Sequence, residues 1–335
     1  MQTHEPMVIE VTRGDLTESR HQVLAVMTRA DGTVIRSWGD ASSLIYARSA
    51  LKPLQACAVV SRSEGQFEFT EQELALACAS HNGEEVHVAV VLGWLARLGL
   101  GPEHLECGAH EPIDPQEARA LIESREKPGS QHNNCSGKHC GLLTLALALR
   151  ASPQSYTSYD HPVQVELRRS LSRLLGYSLD EAPWASDGCS IPTYAMPLSV
   201  LARAFGQLMT PSNGSTEWPE CSHRIVAAIT RHPYLVAGRN RFDTAVMSAL
   251  PGRVIVKGGA EGVCAAGVAD TGIGIALKVI DGGRRAADVA MSALLNYAGA
   301  LDTACLAEIK DFAIAPVRNV VGRLVGVVRH AESDR

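Results

Sequence analysis

Strand-like sequence lies at both ends of this chain, and helix-like sequence fills the middle. Apolar residues of high β-propensity alternate with polar ones over about 7–38, and strand-like segments return over about 253–328. Between about 49 and 250, apolar residues recur mostly at helical spacing. This order predicts an α+β fold, in which strands from both termini form one antiparallel sheet and helices pack on it. No convincing linker interrupts the sequence, so we expect residues 1–335 to form a single catalytic unit.

Local signals place the individual elements. Asp31-Gly32 is typical of a β-hairpin turn, and Thr70 with Glu73 forms a capping box that predicts the start of a helix. We expect a mobile loop at 211–216. The predicted strands are 8–11, 23–27, 33–35, 253–257, 262–268, 274–280 and 324–328, and the predicted helices are 49–60, 70–79, 84–98, 137–149, 163–175, 197–209, 222–230 and 285–301.

Composition excludes several classes of partner. The formal charge is -5 and the isoelectric point is about 6.2, so no basic field attracts nucleic acid. No apolar run is long enough for a membrane span, and the first residues do not resemble a secretory signal. Nine cysteines at irregular spacing are typical of reduced thiols. We therefore expect a cytoplasmic protein that acts on a small molecule, without nucleic acid or membrane partners.

The first chemical motif is Arg-Ser-Ala-Leu-Lys-Pro at 48–53. If a helix begins here, Ser49 and Lys52 lie three residues apart on one face and can touch. A neutral lysine can then remove the proton of a serine nucleophile. An isolated Ser-x-x-Lys is common, however, and is more often a helix cap followed by a solvated lysine.

Two further motifs follow along the chain. Ser-His-Asn-Gly at 80–83 alone would indicate a turn, and Lys-Gly-Gly at 257–259 alone would indicate a strand end. Ser-x-x-Lys, Ser-x-Asn and a strand-borne Lys-x-Gly occur here in the order used by penicillin-binding proteins and serine β-lactamases. The predicted order of sheet and helices agrees with those folds as well. The combination favours one catalytic cleft with an acyl-serine mechanism.

A thiol-rich segment at 132–140 precedes an apolar helix, and Cys189 lies in a turn-like stretch at 186–190. Paired Cys-x-x-Cys signatures are absent, so spacing alone favours structural thiols over a zinc site. The segment is not a phosphate-binding loop, because His139 stands where such a loop has serine or threonine.

Together, these segments resemble the rhizobial-type L-asparaginases. The resemblance is carried by 48–53, 80–83, 133–139, 187–189 and 257–259 and extends over nearly the whole chain. It implies a fold similar to serine β-lactamases, a homodimer, and hydrolysis of the side-chain amide of L-asparagine. It also implies two Ser-Lys tandems, Ser49 with Lys52 and Ser80 with Lys257. Finally, it implies one zinc ion per subunit, with Cys135, Lys138 and Cys189 as its protein ligands.

The mechanism expected from these motifs is attack of one serine on the amide carbon while a neutral lysine takes its proton. We favour Ser49 as the acylated serine, by analogy with the first motif of the penicillin-recognising enzymes. Arg48 and Asp187 are candidates for the carboxylate and the ammonium group of the substrate, and Asn82 is a third candidate binding residue. Both Arg48 and Asp187 could instead belong to structural ion pairs.

Two alternatives remain open from the sequence. The same catalytic groups would serve a glutaminase or a β-lactam-processing hydrolase, which differ in the acyl group accepted. A non-catalytic zinc or redox sensor using Cys135, Cys140 and Cys189 is a hypothesis of another class. The sensor hypothesis leaves both lysine motifs unexplained.

Overall fold

The computed structural model of the chain describes residues 5–210 and 219–331. The strands are β1 (Met7–Arg13), β2 (Leu16–Thr28), β3 (Val34–Trp38), β4 (Leu44–Tyr46), β5 (Trp184–Ser186), β6 (Pro192–Pro197), β7 (Val254–Gly258), β8 (Val263–Val268), β9 (Ile273–Val279), β10 (Ala315–Arg318) and β11 (Leu324–His330). The helices are α1 (Lys52–Ser63), α2 (Glu71–Ala77), α3 (Glu85–Arg97), α4 (Pro115–Ser124), α5 (Ser136–Ala148), α6 (Pro162–Leu175), α7 (Leu198–Met209), α8 (Pro219–Arg231), α9 (Pro233–Val236), α10 (Phe242–Ala249), α11 (Arg284–Tyr297), α12 (Thr303–Glu308) and α13 (Lys310–Ala313).

The chain divides into two compact units. Unit 1 comprises 1–50, 196–214 and 245–335, and unit 2 comprises 51–195 and 215–244. Unit 1 holds the large sheet, and unit 2 holds most of the helices. No helix among the described residues combines the length and the apolar character needed to cross a bilayer.

The sheet of unit 1 joins strands from both ends of the chain. Its order is β10-β11-β1-β2-β9-β8-β7, with β3 paired to β2, and its pairs are antiparallel. Ile9 of β1 lies opposite His330 of β11, and Val23 of β2 lies opposite Val279 of β9. The predicted α+β class, with an antiparallel sheet built from N- and C-terminal strands, is therefore confirmed.

Helix α7 packs closely against β8 and β9 within unit 1. A Cβ on Gly274 would lie 1.8 Å from the carbonyl oxygen of Ala202, and a Cβ on Gly206 would lie 2.9 Å from the carbonyl oxygen of Gly272. Only glycine allows backbones to approach this closely. Strand β8 is buried along its whole length, and α11 also packs against it, so both faces of the sheet are covered there.

Unit 2 is built around α5. Every residue of α5 except Leu147 is buried, and α1, α2, α3 and α6 pack against it. The predicted capping box is present, because Thr70 accepts a hydrogen bond from the Glu73 amide and the Glu73 carboxylate accepts one from the Thr70 amide. This cap fixes where α2 begins. The loop that follows α2 carries Ser80.

Most predicted elements agree with the structure to within a few residues, and the hairpin at Asp31-Gly32 is present between β2 and β3. The first predicted helix begins later than expected, because 48–51 form a 3₁₀ turn and α1 starts at Lys52. The short strands β4, β5, β6 and β10 were not predicted. The loop predicted at 211–216 lies outside the described residues.

Candidate active site

Lys52 is the first residue of α1, and its side chain is buried in unit 2 with an exposed fraction of 1%. Pro53 favours the start of a helix at this point, because the first turn needs no amide hydrogen from it. The Lys52 Nζ donates hydrogen bonds to the Ser80 Oγ at 3.0 Å, to the Ala79 carbonyl, and to the Asn134 carbonyl at 3.4 Å. The lysine of the first motif therefore contacts the serine of the second.

Ser80 lies in an extended segment that pairs with the backbone after α9. The Ser80 amide donates to the Val236 carbonyl at 3.0 Å, and the Asn82 amide donates to the Ala237 carbonyl at 2.9 Å. Ser80 is buried, with 7% of its surface exposed. Its backbone is thus held on both sides of the hydroxyl, which limits the directions in which Oγ can point.

Asn82 is engaged at both ends of its side-chain amide. Its Nδ2 donates to Glu84 Oε1 and to the Arg239 carbonyl, both at 3.0 Å, and its Oδ1 accepts from Arg241 Nη1 at 2.8 Å. Arg241 also donates to the Ser80 carbonyl at 3.2 Å. Arg241 was missed by the sequence analysis, because it lies far from Ser80 in the chain and belongs to none of the motifs.

His81, between Ser80 and Asn82, is fully buried and neutral at physiological pH. Burial holds the pKa of its imidazole well below the usual value, and the nearby charges of His87 and Lys52 act in the same direction. Its Nδ1 accepts from the Gly83 amide at 3.1 Å, which leaves Nε2 as the donor to Ser136 Oγ at 2.9 Å. His81 therefore links the Ser80 loop to the first turn of α5.

In unit 1, the Ser49 segment and the Lys-Gly-Gly motif meet. A Cβ on Gly259 would lie 3.3 Å from both the Ala47 carbonyl oxygen and the Ala50 amide, so the two backbones run close together beside Ser49. Arg48 has a left-handed backbone at φ 49°, which is strained for a residue other than glycine. Lys257 is 1% exposed, and its Nζ donates to the Gly258 carbonyl at 2.7 Å.

The thiols and the amine expected to bind zinc converge in unit 2. The Lys138 Nζ lies 2.8 Å from the Cys189 Sγ, and Cys135 shares a hydrogen bond with Cys189. That bond, helped by the positive charge of Lys138, lowers the pKa of Cys189 to about 5 although burial opposes it. For Cys135, the hydrogen bond to Cys189 and burial raise the pKa to about 12. Burial lowers the pKa of Lys138, but the charges of Cys189 and Cys135 outweigh it and raise that pKa.

This trio fits a zinc ion in chemical type. Two sulfurs and an amine nitrogen are ligands that zinc accepts, with water in the remaining position. Because the amine carries a proton in the metal-free arrangement, binding requires its release. No group of three or more His, Cys, Asp or Glu side chains is placed to bind a metal in the part of the chain that the structure describes, so the expected site depends on the amine of Lys138 as well as on the two thiols.

Asp187 lies in the same loop as Cys189. Its carboxylate accepts from the Gly188 amide at 2.7 Å, and its negative charge acts on both Lys138 and Cys189. Within unit 2, therefore, Lys52 contacts Ser80, and Cys135, Lys138 and Cys189 lie together nearby, because the Lys52 amine also donates to the Asn134 carbonyl and its charge acts on Cys135. Unit 1 brings the backbone beside Ser49 to Gly259.

Comparison with known proteins identifies a matching family and several solved structures of low sequence identity. Residues 9–330 match the family described as L-asparaginase II. A search of the curated proteins gives no match.

Three solved structures illustrate the likenesses. A β-lactamase from Mycobacterium bovis is 15% identical, with 83% of this chain and 95% of that chain covered and a TM-score of 0.41. A putative β-lactamase from Bacteroides dorei is 12% identical, with 77% and 84% covered and a TM-score of 0.42. Mglu in its L-glutamate binding form is 13% identical, with 84% and 62% covered and a TM-score of 0.46.

The family match extends over nearly the whole chain and includes all five segments on which the resemblance to asparaginases was based. The expectation of an asparaginase-type amidohydrolase is confirmed at the level of the family. The chain belongs to the L-asparaginase II family.

Proposed function

We propose that the protein hydrolyses the side-chain amide of L-asparagine to L-aspartate and ammonia through an acyl-serine intermediate. The observation that carries this proposal is the buried contact between Lys52 Nζ and Ser80 Oγ at 3.0 Å. A serine needs an adjacent base to become a nucleophile, and a neutral amine at hydrogen-bond distance can be that base.

In this scheme Ser80 Oγ attacks the amide carbon while Lys52 takes the hydroxyl proton. The proton then passes to the departing nitrogen, ammonia leaves, and water hydrolyses the ester. We propose Ser80 as the acylated serine, in place of Ser49, because Ser80 holds the observed contact with a buried lysine. The two tandems implied by the resemblance, Ser49 with Lys52 and Ser80 with Lys257, stay proposals and are supported by motif order.

Arg48, Asn82 and Asp187 are our proposed substrate-binding residues. An amino-acid substrate carries both charges, so recognition needs a cation for its carboxylate and an anion for its ammonium group. The amide of Asn82 is already held by Glu84, Arg239 and Arg241. These bonds give Asn82 the further role of fixing the Ser80 loop.

We propose that Cys135, Lys138 and Cys189 bind one zinc ion per subunit. When bound, zinc supplies a fixed positive charge that links the start of α5 to the loop at 187–191. The chain's own part is to bring two thiols and one amine together in a buried position and to release the amine proton.

The cytoplasm is the proposed location, and a homodimer is the proposed assembly. Each of the nine cysteines is a buried thiol, which supports a reducing compartment. Sedimentation of the purified chain tests the assembly, and a monomer over the full concentration range would contradict the dimer.

Mass spectrometry of protein quenched during turnover tests the central proposal. We expect an aspartyl adduct on the peptide that contains Ser80, and ammonia release from L-asparagine far above that from L-glutamine. An adduct on Ser49 would overturn the serine assignment while keeping the reaction. Absence of both ammonia and an adduct, with either amide as substrate, would overturn the enzymatic proposal and favour the sensor hypothesis.

A further inference from the structure

Two cysteines outside the site described above form a thiol pair within unit 2. Cys57 lies on α1, Cys221 lies in the first turn of α8, and their thiol groups share a hydrogen bond. The two helices pack against each other. Cys57 is fully buried, whereas Cys221 is 6% exposed. Cys57 is therefore the more buried cysteine of the pair, and Cys221 is the less buried one.

A cavity of about 240 Å³ gives access to this pair. Both cysteines line it, together with the polar residues Ser61, Ser170 and Arg173 and the apolar residues Ala58 and Leu174. Hydroxyl and cationic groups suit a small polar solute, and the volume exceeds that of a single water molecule. A small oxidant can thus reach the sulfurs without unfolding of the helices.

The surroundings of the two sulfurs differ in a way that separates their reactivity. The hydrogen bond from Cys57 lowers the pKa of Cys221, and the hydroxyl and amide of Ser222 act in the same direction. The N-terminal end of α8 adds a favourable dipole for a thiolate. Burial raises the pKa of Cys57 well above its usual value, so Cys57 stays a thiol. Cys221 is therefore the nucleophile of the pair.

We propose that Cys57 and Cys221 form a peroxide-reactive site, in which the two thiols are oxidised to a reversible disulfide that ties α1 to α8. In the first step the Cys221 thiolate attacks hydrogen peroxide, an S–O bond forms, the O–O bond breaks, and hydroxide leaves. In the second step the Cys57 sulfur attacks the Cys221 sulfur, the S–S bond forms, and the hydroxyl group leaves as water with the thiol proton. One peroxide accepts two electrons, and two thiols supply them.

The cross-link has a structural consequence because the two cysteines are distant in sequence. It closes a loop that includes most of unit 2, and long closed loops restrict the unfolded chain most. Lys52 lies at the start of α1, in the same helix as Cys57. Oxidation of the two thiols would therefore change the stability of α1, the helix that carries Lys52. This site does not depend on the proposed amide hydrolysis.

Titration of the full chain with hydrogen peroxide tests this proposal. After free thiols are alkylated, we expect one peptide pair, containing Cys57 and Cys221, to be joined with loss of two hydrogen atoms. The melting temperature should rise on oxidation and return with dithiothreitol. Cys57→Ala and Cys221→Ser should each abolish both changes.

Cys305→Ser provides the matched control, because Cys305 is 8% exposed and its thiol faces the Ala249 carbonyl at 3.6 Å. This variant should cross-link like the wild type. Oxidation of Cys221 to the sulfinic acid without a cross-link would overturn the proposal. A wild-type cross-link between any other two cysteines would overturn it as well, and this readout does not depend on how well any variant folds.

Discussion

The Lys52 amine and the Ser80 hydroxyl lie 3.0 Å apart, and this bond joins the first residue of α1 to the loop after α2. The Ala79 and Asn134 carbonyls accept from the same amine. The lysine therefore orients the hydroxyl and also fixes the backbone next to it. To act as the base, the amine must be neutral, with its two N–H groups on the carbonyls and its lone pair accepting from the Ser80 hydroxyl.

Removal of either member of this pair should abolish catalysis. We expect Ser80→Ala and Lys52→Met each to lower kcat/KM for L-asparagine by about 10³-fold or more, because the nucleophile or its base is lost. Ammonia release measures the effect, and circular dichroism checks the fold. Ser124→Ala, at an exposed position on α4, is the matched control. Wild-type-like rates in both variants would contradict the assignment.

Arg241 should act as a positioning residue for Ser80. Its guanidinium bonds the Ser80 carbonyl and the Asn82 side chain, and lysine cannot reproduce this two-way contact. We expect Arg241→Lys to lower kcat by roughly 10–100-fold, with a smaller change in KM, since misplacement of the nucleophile affects the chemical step most. Arg231→Lys, which alters an exposed ion pair with Glu71, is the control. Unchanged kcat in Arg241→Lys would exclude the positioning role.

The close packing of α7 on β9 predicts opposite outcomes for two glycine substitutions. Gly274→Ala would place a Cβ against the Ala202 carbonyl, and we expect a loss of roughly 1–3 kcal/mol or more in the free energy of unfolding. Gly93→Ala, on the exposed side of α3, meets no neighbouring atom and should add about 1 kcal/mol. Denaturant unfolding measures both. A neutral Gly274→Ala would show that the helix can move away from the sheet.

Glu10 should contribute to stability in a pH-dependent way. Its hydrogen bond from Arg329 at 2.8 Å, followed by that from Thr17, holds its folded-state pKa below the usual 4.5. Because the folded pKa is the lower one, the stabilisation is present above the unfolded value and disappears as the pH falls through the folded value.

We therefore expect Glu10→Gln to unfold more easily than the wild type at pH 7, by up to about 1 kcal/mol for a pair whose arginine is half exposed, and to match it in acid. Unfolding free energies measured between pH 7 and the acid transition check this. For Glu308→Gln, at an exposed position on α12, the unfolding free energy should differ from that of the wild type by the same amount at every pH. A Glu10→Gln curve that also runs parallel would exclude a contribution from the Glu10 carboxylate.

Zinc content should depend on the cluster of two thiols and one amine. We expect the wild type supplied with zinc to retain one ion per chain, and Lys138→Met and Cys189→Ser to retain far less, since each removes a ligand. Elemental analysis after dialysis measures this. Cys140→Ala removes a thiol that lies near the Val91 carbonyl and should leave zinc unchanged. A wild type that binds no zinc would overturn the proposed site.

The sequence was sufficient for elements with a strong local signal. The alternation in β1 and β2, the capping box of α2 and the apolar period of α5 each predict their element because burial and capping act locally. The contact between Lys52 and Ser80 was not predictable in the same way. The two residues are 28 positions apart, and only packing brings them near each other.

Arg241 illustrates a second limit. One arginine in a helix-rich segment gives no local signal. The position of Arg241 beside Ser80 depends on the tertiary contact between 80–82 and 236–237. The short strands β5 and β6 were missed for a related reason, since Cys189 and Pro192 lie in a turn-rich stretch that resembles a loop.

Helix α5 is enclosed along nearly its whole length, and its first turn presents Lys138 and receives the hydrogen bond between Ser136 and His81. A substitution in this turn must fit the packed interior of unit 2 and must also preserve the contacts of Ser136 and Lys138. Evolution toward another substrate or another ion would therefore find more freedom at the exposed positions Gly188 and Ser190 of the neighbouring loop than in the helix.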